Sequence, residues 1–442
     1  MSTSRLKFYL FALWGIVAIL GGVLALWALA GQRPEQSLGA FIPTSPPTAI
    51  ITPSLTISPT TIIIRATQRP GGQILLPTAT PVTPLPPFRY VVAPAGINPI
   101  TGLKAADPSL LERRPVAVKI VTWPRSARKY QSGLTLADVV YEYYTEDWET
   151  RFIAVFYGRD AERAGPVRSG RYFDENIMRM YHSTLVFANA DDRVEKYLIE
   201  SPDLRPYLFL ERSDNCPPLC RDGRIEGYQD LFVNTAGVGA FLKDNSKQPL
   251  RPTFFNGFYR SPPISKISRV FTNYSAYSYN YWEYEPTQQK YLRYSDAINA
   301  VDGKSEVYTA HIDYLTKQQL AADNVVVLFV PHLFKNDYDR ADQRFDIKII
   351  GNGDAYIFID GNMYKALWNR DLLDQPFDLV DQAGKLFSLK PGVTYFQVID
   401  LESTVDQNAP NITFNFFIPP RVFTPTPTPT RFKPTPTRRS HE

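Results

Sequence analysis

The segment Gly165–Glu175, GPVRSGRYFDE, places Arg168, Ser169 and Arg171 close together, shortly after the apolar run TRFIAVFYG. Two guanidinium groups beside a helix start, where backbone N–H groups and the helix dipole point outward, would favour phosphate or carboxylate. The same arginines could instead pair with Glu142, Glu146 or Glu149 of the preceding segment, because buried charges need partners. Both readings hold together if an internal network leaves one arginine for a ligand. The candidate ligand-binding set is Arg168, Ser169 and Arg171, with Glu142 and Arg151 behind them. Were the site catalytic, the arginines would hold phosphate, and Glu142 or Asp138 would take a proton. Glu142 and Glu146 as an acid/base pair would suit glycoside hydrolysis.

Other chemistries find little support. The chain has four histidines, His182, His311, His332 and His441, and no HExxH, GxSxG or cysteine–histidine spacing. Metalloprotease and serine-hydrolase readings therefore fail, and no cofactor or metal is expected. Cys216 and Cys220 flank PPL; a disulfide there suits an oxidising compartment, whereas two thiols alone make a poor zinc site. GNGD at 351–354 lacks the helix and lysine of a phosphate loop and reads as a hairpin turn. Tyr277, Tyr279, Tyr281, Trp282 and Tyr284 read either as strand packing or as a stacking platform for glycan rings or a partner.

The elements that must position these residues follow from periodicity. RPVAVKIVT (114–122) reads as a buried strand, and ADVVYEYYT and TRFIAVFYG read as a hairpin. YFDENIMRMYH has helical apolar spacing, STLVFANA returns as a strand, and DDRVEKYLIES opens with acids suited to a helix N-terminus. NTAGVGAFLKDN reads as a further helix. From about residue 265 the pattern becomes strands and turns. The expected fold class is α+β: a mixed α/β domain over 90–258, then a mostly antiparallel β domain over 259–420.

Before and after these lie segments of another character. No charged residue falls between Lys7 and Arg33, long enough for residues 8–32 to cross a bilayer. Arg5 and Lys7 ahead of it place the N-terminus in the cytoplasm and the rest outside. A signal peptide cleaved after ALA at 28–30 is the alternative. Residues 33–89 are rich in Pro and Thr, a disordered stalk of roughly 55 residues that reaches about 170 Å at ~3.1 Å each. Residues 421–442 repeat that chemistry with added arginines. The net charge of +4 owes much to this tail, which weighs against nucleic acid as a partner.

The long stretches NPITGLKAADPSLLERRPVAVKIV, SGLTLADVVYEYYTEDWETRFIAVFYGRDAERAGPVRSGRYFD and GNGDAYIFIDGNMYKALWNRDLLDQPF resemble the YerB-like family of exported bacterial proteins, often lipoproteins. The likeness spans most of 97–400. It implies an extracytoplasmic α/β domain followed by a β-rich one, with no established reaction. The resulting expectation is a single-pass, membrane-anchored envelope protein that binds a wall polymer, a lipid-linked intermediate or another protein. The alternative is an enzyme acting on an anionic envelope substrate.

Overall fold

Six consecutive buried residues make Val116–Val121 (β1) a central strand. Val139–Tyr144 (β2) and Thr150–Phe156 (β3) form the expected hairpin, and β1 runs antiparallel to β3. The computed structural model describes residues 93–212, 214–248, 250, 260–302, 305–334 and 345–418. The segments 8–32, 33–89 and 421–442 lie outside them, as does the expected boundary at 258/259. Thr184–Phe187 (β4) adds parallel to β1, and Leu208–Leu210 (β5) adds parallel to β4. Asp174–Tyr181 (α1) and Asp192–Glu200 (α2) connect these strands, and the Asp191 side chain caps α2 by accepting from Arg193 N. Leu219–Arg221 (β6) and Leu231–Val233 (β7) make a separate short pair.

The later half does not form a purely antiparallel layer. Thr394–Asp400 runs parallel to β2 on one side and parallel to Asn324–Val330 on the other. Gly351–Ile359, Asn362–Arg370 and Asp378–Val380 continue from there. Among the described residues, eleven strands from both halves thus share one mixed sheet. A second sheet, seven-stranded among the same residues, contains Lys290–Asp296, Ser278–Glu285 and Arg269–Ser275, with Asn411–Asn415 parallel to the last. The whole is mostly strand with few helices. The helix expected from NTAGVGAFLKDN shrinks to Thr235–Val238 (α3) and a short 3-10 turn, since its two glycines weaken a longer helix. GNGD is no turn: Gly351 opens a strand, and Gly353 is small because a Cβ there would lie 2.6 Å from Trp368 Nε1 and 2.7 Å from Phe329 O.

Strand alternation decides what each residue of β2 touches. Tyr141 and Tyr143 face α1, where Tyr141 meets Phe173 and Tyr181. Glu142 faces the second sheet, 2% exposed. Its Oε2 takes a 2.7 Å ion pair from Arg293, and its Oε1 accepts from Thr150 Oγ1 at 2.9 Å. Asn280 donates at 3.4 Å, and the Tyr274 hydroxyl donates to the Glu142 carbonyl at 3.1 Å.

The tyrosine-rich segment is absorbed by packing. Tyr279 and Trp282 are buried, and Trp282 meets Tyr395 at 4.7 Å. Tyr281 stacks on Tyr294 at 4.6 Å with Tyr308 edge-on, Tyr277 abuts Trp123, and Tyr284 packs on Tyr291. Each of these rings is engaged by another aromatic ring.

Removing one partner of a buried pair strands the other charge, at a cost of about 3–5 kcal/mol. Arg293→Met should lower the urea midpoint accordingly, and adding Glu142→Gln should restore much of the loss. Equal midpoints for Arg293→Met and the parent would contradict the pairing.

Candidate functional site

The segment after Gly165 enters the large sheet where β1 and β4 diverge. Arg168 N donates to Lys119 O at 3.0 Å, Ala188 N donates to Arg168 O at 3.1 Å, and Gly170 N donates to Asn189 O at 2.8 Å. The turn therefore lies at the carboxyl ends of two neighbouring parallel strands, where open sheets commonly leave a crevice. Gly170 is required by close approach, since a Cβ would meet the Phe187 ring at 3.1 Å.

Beneath the turn the structure builds an ion network. Arg171 makes a two-pronged pair with Glu146, with Nε to Oε2 at 2.8 Å, and donates to Gly170 O at 2.9 Å. Its backbone N–H donates to Asp174 Oδ2 at 2.8 Å. Asp174, fully buried at the start of α1, also accepts from Lys119 Nζ at 3.0 Å and from the Tyr143 hydroxyl. The anion expected at this helix start is thus an internal carboxylate. Burial lowers the Lys119 pKa to about 7, against the opposing pull of Asp174, with Arg171 and Arg151 lowering it further. Burial likewise raises Tyr143 well above its ordinary value.

Arg151 faces this side of the sheet, paired across the hairpin with Tyr143. Its guanidinium goes to Glu149 at 2.6 Å. Glu142 does not stand behind the turn. One residue from Tyr143, it points through the opposite face to Arg293. Asp138 is also committed elsewhere, accepting from Tyr157 N at 2.7 Å and Gly158 N at 2.8 Å. Neither carboxylate proposed to take a proton faces the arginines, and Glu146 is occupied by Arg171.

Arg168 is different. Among the described residues it has no carboxylate partner, and its Nε is buried without a hydrogen bond. It lines a cleft of about 360 Å³ with Val167, Ser169, Asn189, Arg221 and Tyr228. The Ser169 hydroxyl donates to Asn189 Oδ1 at 2.5 Å, which fixes that amide with its nitrogen left over. Arg221 is held by Glu211 and Asp230, and the Tyr228 ring, 77% exposed, has its centroid 5.9 Å from the Arg168 guanidinium. Burial and then repulsion by Arg151 lower the Arg168 pKa. The uncommitted groups here, the Arg168 guanidinium, the Asn189 amide nitrogen and the Tyr228 hydroxyl, can all donate. Such a cleft suits an anion.

Sequence reasoning missed Asn189, Arg221 and Tyr228, which reach the cleft only through the packing of β4, β6 and the loop before β7. Cys216 and Cys220 are bonded, S–S 2.04 Å, just ahead of Arg221. Among the described residues no group of three or more His, Cys, Asp or Glu is placed to hold a metal, and no helix is long and apolar enough to cross a membrane.

Residues 100–248 match the family described as "Protein of unknown function (DUF3048) N-terminal domain", and residues 270–396 match its C-terminal domain. The chain belongs to the DUF3048, YerB-like family. The whole Arg168 cleft lies in the N-terminal segment of that family, while the Glu142–Arg293 pair ties the two family segments together. A relative from Bacillus subtilis (strain 168), described as "Putative lipoprotein YerB", is 25% identical over 316 residues, 69% of this chain and 87% of the relative. The crystal structure of the YerB protein from Bacillus subtilis shares the fold, with a TM-score of 0.57 and 23% identity over 69% of this chain and 97% of that one.

Two measurements separate the paired arginine from the free one. Arg171→Ala should cost roughly 2–3 kcal/mol in urea unfolding by stranding Glu146, while Arg168→Ala should stay within about 0.5 kcal/mol of the parent. A larger loss for Arg168→Ala would make it structural. Lys119 adds a pH dependence. Its folded pKa of about 7 lies below the ordinary 10.5, so the unfolded chain binds the extra proton between those values. Stability should rise from pH 7 towards 9 by up to about 1.4 kcal/mol per unit from this group, and Lys119→Met should flatten that rise. An unchanged slope in the variant would refute the assignment.

Proposed function

We propose that the chain is an extracytoplasmic, membrane-anchored envelope protein that binds an anion-bearing ligand in the Arg168 cleft. The observation that carries this is the Arg168 guanidinium: half-buried, without a carboxylate partner among the described residues, and bordered by spare donors from Asn189 and Tyr228. Support for the address comes from the apolar run at 8–32, from the Cys216–Cys220 disulfide, and from a relative described as a lipoprotein. A wall polymer or a lipid-linked intermediate with phosphate or carboxylate groups fits the cleft's charge. An enzymatic reading would need a proton acceptor at the arginines, and Asp138, Glu142 and Glu146 are committed to other partners.

Thermal unfolding of the full chain against inorganic phosphate tests the binding reading. At about 100 times the dissociation constant a bound anion adds roughly 2.7 kcal/mol. The shift should weaken with added sodium chloride and vanish in Arg168→Gln. A parent protein indifferent to phosphate, or a variant that keeps the shift, would sink the proposal.

A further inference from the structure

Arg221 lines two neighbouring hollows: the Arg168 cleft, and a second of about 530 Å³ walled by Glu162, Arg163, Asp222, Arg224, Phe232 and Asn234. Both volumes lie in the range of about 300–1,000 Å³ usual for small-molecule sites. Their spare hydrogen-bonding groups differ in kind. In the first, the uncommitted groups are the Arg168 guanidinium, the Asn189 amide nitrogen and the Tyr228 hydroxyl, all able to donate.

In the second hollow Arg163 and Arg224 share one carboxylate, and Arg163 Nε is buried without a hydrogen bond. Arg163 pairs with Asp222 at 3.1 Å and lies over the Phe232 ring at 3.4 Å, and Arg224 pairs with Asp222 at 2.8 Å. Glu162 is exposed and makes no hydrogen bond or ion pair among the described residues. Asn234 uses Oδ1 to cap α3 at Ala236 N, 3.1 Å, which leaves its amide nitrogen for the hollow. A carboxylate with open lone pairs beside an amide donor is suited to hydroxyl groups, each of which donates and accepts. A second anionic group would meet Glu162 and Asp222 there.

We propose that the two hollows hold one ligand, a glycosyl phosphate, with its phosphate at Arg168 and its sugar hydroxyls at Glu162 and Asn234. This rests on the anion-binding reading of Arg168 and goes beyond it by naming the neutral, polyhydroxylated body attached to the anion. A soluble sugar phosphate and a lipid-linked one share this chemistry.

Calorimetric titration of the full chain with glucose 1-phosphate, inorganic phosphate and glucose tests it. A parallel arm uses phosphatidylcholine vesicles that carry polyprenyl phosphoglucose or, as the sugar-free counterpart, polyprenyl phosphate. The sugar-bearing probe of at least one source should bind about tenfold more tightly than its sugar-free counterpart, the size of one good hydrogen bond. Glu162→Ala should bring that ratio close to one, and Arg168→Gln should abolish binding of both probes. The arm that shows the preference identifies the source. Equal binding of sugar-bearing and sugar-free probes in both arms, lost in Arg168→Gln, overturns this inference and leaves the anion site standing. Binding of no phosphate-bearing probe overturns both. Glucose that binds as tightly as glucose 1-phosphate overturns the placement of the phosphate.

Discussion

The ion pair between Glu142 and Arg293 is the constraint from which the rest of the structure follows. A carboxylate in the middle of an apolar strand cannot be left unpaired in the interior, and its partner arrives on the second sheet. Satisfying it brings the two sheets face to face, with Thr150, Asn280 and Tyr274 supplying the remaining hydrogen bonds. Once Glu142 points one way, the pleat sends Tyr143 the other way. Tyr143 and Lys119 then meet Asp174, and Asp174 fixes the backbone of Arg171. The arginine turn is therefore held in place by a chain of polar contacts that begins on the far side of the sheet.

That arrangement divides two arginines of similar sequence context into different roles. Arg171 is saturated by Glu146 and by the carbonyl of Gly170. Arg168 extends past the same turn into the cleft, half-buried and held through its backbone, while its guanidinium has no carboxylate partner among the described residues. A binding group positioned this way loses little freedom when it engages a ligand, because the ordering has been done by the fold. Arg221 and Leu231 of the β6–β7 pair line the same cleft.

Local structure was legible where the signal is local. The hairpin of β2 and β3, the strand β1 and the helices α1 and α2 all follow from spacing and from acidic residues at helix starts. Glu142 was misplaced behind the arginine turn: it alternates with Tyr141 and Tyr143, and which of them faces the helix is decided by the second sheet that carries Arg293. GNGD misled because glycine signals both turns and close approach, and only the Trp368 ring in the neighbouring strand tells them apart. Asn189, Arg221 and Tyr228 carried no motif. They converge through tertiary packing, as does the parallel pairing of Thr394–Asp400 with β2, which no short-range pattern encodes.

That late strand has a consequence for how the chain is made. Val139 finds Thr394 as its neighbour, so the large sheet stays open in its middle until nearly the whole polypeptide has emerged. Loop closure over such a separation is slow, and strands wait with unpaired edges meanwhile. The architecture therefore delays closure of the sheet until that last strand arrives.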